Sequence, residues 1–217
     1  MELTREEVRV LGCLVEKQRT VPDTYPLSLN ALRSACNQST NREPVVSYDE
    51  ATIEAALDRL RERGLSRRGV TAGSRVIKYW QLLDDALGLH DAQTSLLAVL
   101  MLRGAQTPGE LKGRVDRLHH FETLDGVVAG LDALGARDEP LVARLAREPG
   151  QKEARYAHLL GGDGPAAVVA RPVEPVEAVE AVPNVPVQAD GIDALRAEVG
   201  ALRDEVRALR ERVDGLA

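Results

Sequence analysis

The sequence predicts a mainly α-helical protein with small β hairpins: a unit of three helices and a hairpin written twice, then an extended tether, then a heptad helix. Three observations carry that reading. The chain holds one Phe, one Trp and four Tyr among 217 residues, although 44% of its residues are hydrophobic. Its cores must therefore be built from Leu, Val, Ile and Ala, which favours helices over aromatic-rich β sandwiches. Apolar residues at helical spacing recur in two trios, each followed by two β-prone runs around a turn. From Ile192 onward, apolar residues alternate at intervals of three and four, the pattern of a coiled coil.

In the first unit, Thr4 and Glu7 have capping-box spacing ahead of Val8, Leu11, Leu14 and Val15, which predicts helix one. A loop with Pro22, Asp23 and Pro26 leads to Ser28, which opens a short helix carrying Leu29, Leu32 and Ala35 inward. After Pro44, Ser47 and Glu50 read as a second capping box for a helix with Ile53, Ala56, Leu57 and Leu60 on one face, stopped at Gly64. The runs 65–70 and 76–82 then flank Thr71-Ala-Gly-Ser as a hairpin.

The same order returns with the apolar run 95–102, then Pro108 to Val115, then a helix carrying Leu124, Val127, Val128, Leu131 and Leu134 and closed by Gly135. Residues 141–145 and 154–160 supply the second hairpin. Three helices with a turn between the second and third, followed by a hairpin, describe a winged helix-turn-helix. The expected layout is tandem winged helix-turn-helix domains at 1–86 and 87–162, a disordered linker rich in Pro, Val, Glu and Ala at 163–190, and a C-terminal coiled-coil helix at 191–217.

Repeated prolines forbid helix in the linker, and extension at about 3.1 Å per residue separates the tail from the body by several tens of ångströms. In the tail, Ile192, Val199, Val206 and Val213 fall at a, and Leu195, Leu202, Leu209 and Leu216 at d. β-branched residues at a with leucine at d favour a parallel dimer. Glu198 and Glu205 at g face Arg203 and Arg210 at e of a partner strand. The competing reading is a single amphipathic helix docked on the body, which would carry a wider apolar stripe.

Several strings also resemble a known bacterial family, the YceH-like proteins. They are Glu16-Lys17 with Thr20, Tyr25-Pro-Leu-Ser-Leu-Asn-Ala-Leu, Ala35-Cys-Asn-Gln with Asn41-Arg, Leu102-Arg-Gly-Ala-Gln-Thr-Pro-Gly-Glu-Leu and Pro149-Gly-Gln-Lys-Glu-Ala-Arg-Tyr-Ala-His-Leu. The resemblance covers about residues 1 to 161 and leaves the tail outside. It implies two winged-helix domains and brings no established activity. The chain departs from the pattern at Val21, where Thr is expected, and at Ser39-Thr40, where a basic residue is common.

The charge pattern divides the candidate chemistry. A winged helix binds DNA with its third helix in the major groove. Here that helix offers Asp49, Glu54, Asp58, Arg59 and Glu62 in the first unit and Thr123, Asp125, Gly126, Ala129 and Asp132 in the second, and carboxylates repel phosphate. Cations gather instead on the wings: Arg67, Arg68, Arg75 and Lys78 on the first, Arg144, Arg147, Lys152 and Arg155 on the second. Lys112, Arg114 and Arg117, with His119 and His120, add a patch around the second unit's helix two, and Arg33 and Arg42 border the first turn. The expectation is DNA binding through basic wings and dimerisation, as a transcriptional regulator or nucleoid-associated protein. The alternative is a protein-interaction scaffold resembling the tandem winged-helix subunits of chromosome-condensing complexes, which the acidic third helices favour.

No phosphate-cradling glycine loop, nucleophile elbow or HExxH is present, so no enzyme and no cofactor are expected. Asp116 and His120 stand one helical turn apart, but two ligands do not make a metal site. Cys13 and Cys36 lack metal-ligand spacing and read as free thiols, Cys13 as a small core hydrophobe. Strand alternation puts either Tyr79 or Trp80 toward the core, and Trp80 is the one expected inside. The charged N-terminus has no apolar signal region, and no apolar stretch approaches the roughly 20 residues of a membrane span. A cytoplasmic protein that avoids membranes is expected.

Overall fold

Local sequence signals set the helix starts. In the computed structural model, which describes residues 2–71, 73, 75–147 and 153–161, α1 (Arg5–Thr20) begins at Thr4 with the complete capping box. The Glu7 N–H donates to the Thr4 hydroxyl at 3.3 Å, and the Thr4 N–H to the Glu7 carboxylate at 3.1 Å. Ser28 caps α2 (Leu29–Cys36) by accepting from the Ala31 N–H. The cap of α3 (Glu50–Glu62) is Asp49, which accepts from the Thr52 N–H at 2.8 Å, and not Ser47. Asp49 is the residue directly before the first helical turn, where a short acceptor side chain meets the unpaired N–H groups. Gly64 at φ +71 follows α3 and turns the chain into β1 (Ser66–Val70) and β2 (Ile77–Gln81).

A five-residue helix absent from the sequence reading, α4 (Leu83–Leu87), links the two units. The second unit then repeats the order: α5 (Asp91–Arg103), α6 (Pro108–Val115), α7 (Leu124–Gly135), β3 (Val142–Arg144) and β4 (Tyr156–His158). Thr107 builds a capping box with Glu110, with Pro108 in the first turn, where a missing N–H costs nothing. Both hairpins are antiparallel, with Arg68 opposite Tyr79 and Arg144 opposite Tyr156.

The two copies agree in a finer detail. In each, the segment before the second helix makes an antiparallel bridge to the second hairpin strand, Leu27 to Tyr79 and Gln106 to Tyr156. Leu3 bridges to Gly161, and its N–H donates to the Leu160 carbonyl at 2.7 Å, tying the start of the described body to its end.

The copies are packed together through their first helices. Every residue from 7 to 16 in α1 and from 93 to 102 in α5 is buried, and a helix buried all round is a central element. At Gly12 a Cβ would stand 3.1 Å from Leu102 Cγ and 3.2 Å from Met101 Cβ, so this glycine lets the α1 backbone pack close against α5. One apolar cluster runs from Leu3 through both helix trios to Leu160, and the described residues belong to one compact unit. Cys13 and Cys36 are free thiols fully enclosed in this core. The neighbouring Cys13 thiol together with burial pushes the Cys36 thiol up.

Candidate nucleic-acid interface

Register decides what the first hairpin presents. Ser66 and Gln81 are paired and buried, so their face of the hairpin lies on the core, and Tyr79 shares it. Trp80 is therefore on the outer face, half-buried, and Tyr79 is the enclosed aromatic, the reverse of the expectation. The reason is phase: the strand enters the core at Gln81, and alternate residues follow it in. The indole is covered from outside by Arg67, whose guanidinium carbon lies 4.1 Å from the ring centroid, and by Gly69, where a Cβ would be 3.5 Å from Trp80. Arg67, Arg68 and Arg75 are exposed and Lys78 is half-buried. None of the four is in an ion pair among the described residues.

The helix that precedes this hairpin, α3, is acidic. Glu50, Glu54, Asp58 and Glu62 are all exposed and recur every fourth residue, which aligns them on one side of α3. Only Glu50 and Asp58 have ion-pair partners among the described residues, Arg33 at 3.2 Å and Arg61 at 3.1 Å. Arg59 does not join that surface, because its guanidinium turns inward to the fully buried carboxylate of Glu7, with Arg63 beside it at 3.9 Å. On α7 the exposed residues include Leu124, Asp125, Ala129, Asp132 and Ala133, with no cation among them.

The cations of the second hairpin are less available. Arg144 and Arg147 are exposed, but Arg155 donates to the Ala105 carbonyl at 2.8 Å and pairs with Glu110 at 3.3 Å. Arg114 also reaches Glu110, at 3.8 Å, and Lys112 donates to the Glu122 carbonyl at 3.0 Å. Lys152 and the eight tail positions Ile192, Leu195, Val199, Leu202, Val206, Leu209, Val213 and Leu216 lie outside the described residues. Asp116 and His120 are in contact at 2.6 Å and exposed. Among the described residues no group of three His, Cys, Asp or Glu is placed to hold a metal, and no helix is long and apolar enough to cross a membrane.

A second polar centre, which sequence reasoning missed, lies where the two copies meet. The connection 37–49 between α2 and α3 is held by arginines from inside. Arg9 donates to the Cys36 and Pro44 carbonyls, and Arg42 to the Ala35 carbonyl at 3.0 Å. Asn37 clamps the backbone of Tyr48 with two 2.8 Å bonds. Arg42 is therefore no surface cation at the first turn. Its buried guanidinium forks onto Glu16 at 3.2 and 2.5 Å. Lys17 and Arg117 hold the same carboxylate, and Arg117 belongs to the second copy. Burial opposes the charge on Glu16, but the Arg42 hydrogen bonds outweigh it and hold the carboxyl below its usual range. Beside it Arg103, at the end of α5, donates to the Asn41 side chain, and the Glu43 N–H donates to the Leu102 carbonyl. Glu16, Lys17, Gln38, Asn41, Arg42 and Arg103 all come from the strings quoted for the family resemblance.

The comparisons agree with those strings. A family model described as a protein of unknown function, DUF480, matches residues 3–151. This chain belongs to the DUF480 family. It is similar to a UPF0502 protein of Pelobacter propionicus, 55% identical over 163 residues that cover 75% of this chain and 74% of the relative. It is also similar to a UPF0502 protein of Opitutus terrae, 51% identical over 74% of this chain and 70% of the relative. A third relative, the UPF0502 protein YceH of Salmonella newport, is 48% identical over 75% of this chain and 78% of its own length. The DUF480 match covers the first copy and the second as far as β3, and so includes Glu16, Arg42, Arg103 and Arg117 at the seam.

Proposed function

We propose that this protein is a tandem winged-helix DNA binder that grips the phosphate backbone with its first wing and works as a dimer through its heptad tail, without catalysis. The repeated order of helix, bridge, helix, helix and hairpin supports the winged-helix assignment. The observation that carries the DNA reading is the first wing: Arg67, Arg68, Arg75 and Lys78 share one hairpin, and no described carboxylate pairs with them. Phosphate contacts position a protein on DNA without reading bases. With α3 acidic, the binding expected is backbone-led and sequence-tolerant, as suits a regulator or nucleoid-associated protein. Fluorescence anisotropy with a labelled duplex tests it. The full chain should bind at about 50 mM salt, and affinity should fall steeply by about 200 mM. Replacing Arg67, Arg68, Arg75 and Lys78 with Ala should flatten the log–log salt slope by roughly 3 to 4, at about 0.9 per phosphate contact. Absence of binding at low salt, or an unchanged slope, removes the proposal.

The row Glu50, Glu54, Asp58 and Glu62 favours a second reading, a scaffold that recruits a basic protein partner. Crosslinked capture with and without nuclease separates the two. A partner that survives nuclease and the wing substitutions, but is lost with Glu54→Lys and Glu62→Lys, belongs to the scaffold.

A further inference from the structure

Positive charge is concentrated at the seam between the two copies in a chain whose formal net charge is -6. Lys17, Arg42 and Arg117 share the single carboxylate of Glu16. Arg114 and Arg155 share that of Glu110. Among the described residues the hydrogen-bond acceptor of the Arg103 guanidinium is the neutral side-chain oxygen of Asn41. These cations exceed the carboxylates that hold them, and they are unequal. Arg42 is fully enclosed and spends its fork on Glu16 and on backbone carbonyls. Arg117 is 48% exposed, Arg114 33% and Lys17 19%, so all three reach solvent, and Arg114 and Arg117 lie near enough to act on the Arg103 guanidinium.

We infer that this seam is a binding site for a phosphate group, held by Lys17, Arg103, Arg114 and Arg117. A guanidinium has five donors in a planar fork that matches phosphate oxygens. Arg117 commits one terminal nitrogen to Glu16, and Arg103 one to Asn41. Arg114 reaches Glu110 only at 3.8 Å, outside hydrogen-bonding distance. Donors therefore remain on three arginines contributed by the second copy, beside a lysine from α1 of the first. Burial, then the fields of Arg114 and Arg117, hold the Arg103 guanidinium below its ordinary range, and an anion placed among the three relieves that repulsion. Partial burial strengthens each charge contact relative to one in open water. The site is separate from the first wing, and its existence does not depend on the wing binding DNA.

Thermal unfolding of the full chain tests the site, with sodium tripolyphosphate compared against sodium chloride at matched ionic strength. At about ten times the dissociation constant, tripolyphosphate should raise the midpoint by roughly 3 °C or more above chloride. An Arg103→Gln, Arg117→Gln variant should lose that increment relative to its own baseline, while the first-wing variant keeps it. Glu16 retains Arg42 and Lys17 when Arg117 is replaced. Should the double variant not fold, the half-exposed Arg114→Gln alone should weaken tripolyphosphate about tenfold, the scale of one charge-assisted hydrogen bond. A wild-type midpoint no higher than in chloride, or an undiminished increment in folded seam variants, overturns the assignment. A DNA duplex that displaces tripolyphosphate assigns the group to a nucleic-acid backbone. Tripolyphosphate binding indifferent to the duplex assigns it to a free phosphate compound. Either result upholds the site.

Discussion

The two copies share a plan and differ in where they put charge. Counted from the helix caps, the third residue of α1 is Glu7 and that of α5 is Gln93, and each reaches back to its cap N–H. Arg9 and Glu16 of α1 correspond to Ser95 and Leu102 of α5. The first copy thus runs buried charges through a helix that the second copy keeps neutral. The wings diverge likewise. Aligned on their bridged tyrosines, Tyr79 and Tyr156, the outer pair Arg67 and Trp80 of the first becomes Ala143 and Ala157 in the second. Gln81 becomes His158. The Gln81 side chain is fully employed, donating to Gln18 and Asp84 and accepting from the Leu83 N–H. His158 Nδ1 is closed off and has no partner among the described residues. A three-helix core tolerates these exchanges because its packing rests on the leucines, while polar positions are free to specialise once each buried group finds a partner.

The largest effect is expected where the buried charges are broken. Glu16→Ala leaves the enclosed Arg42 guanidinium uncompensated, a loss of about 3 to 5 kcal/mol, or a midpoint fall on the order of 10 °C for a body of this size. Urea unfolding at neutral pH measures it, and a change below about 1 kcal/mol would mean that water reaches Arg42 and the seam is not closed.

Next comes acid. Burial pushes the His158 imidazole from 6.5 down to about 4, so between those values the unfolded chain binds a proton that the folded chain refuses. Stability is then intact above pH 6.5 and falls as pH drops toward 4, by up to about 3 kcal/mol at about 1.36 kcal/mol per pKa unit. Glu16, held low, adds a loss of the same sign once pH drops through its folded value. His158→Gln copies the first unit's Gln81 and should flatten the curve above pH 4 in pH-dependent urea titrations; an equally steep fall would place the acid sensitivity elsewhere.

The smallest effect sharpens the contrast between the wings. Arg67→Ala removes an exposed cation–π contact worth about 0.5 to 1 kcal/mol, so the melting point should barely move while duplex affinity falls at low salt. A substitution that instead destabilises the body would make Arg67 a structural cover for Trp80.

Much of the fold was written locally. Thr4 and Ser28 announced helix starts through bonds spanning three residues, and the leucine periodicity marked which face turns inward. The Asp49 cap and the inward Tyr79 were misjudged by small shifts of phase, because a cap or a strand face depends on where the chain enters the core. The cations of the first hairpin were visible as residues, but that Arg67, Arg68, Arg75 and Lys78 have no ion pair among the described residues was not. The seam was hidden more deeply. Glu16 meets Arg42 across 26 positions and Arg117 across 101, and no local pattern connects such residues.

The sequence by itself determined the two helix trios with their hairpins, the repetition and the family, though not the linking α4, since caps, turns and periodicity act within a few residues of one another. Only the tertiary structure decided which charges are spent inside and which remain for a partner. That division follows from packing α1 on α5, which closes water away from Glu16 and Arg42 and leaves Arg103, Arg114 and Arg117 at the rim.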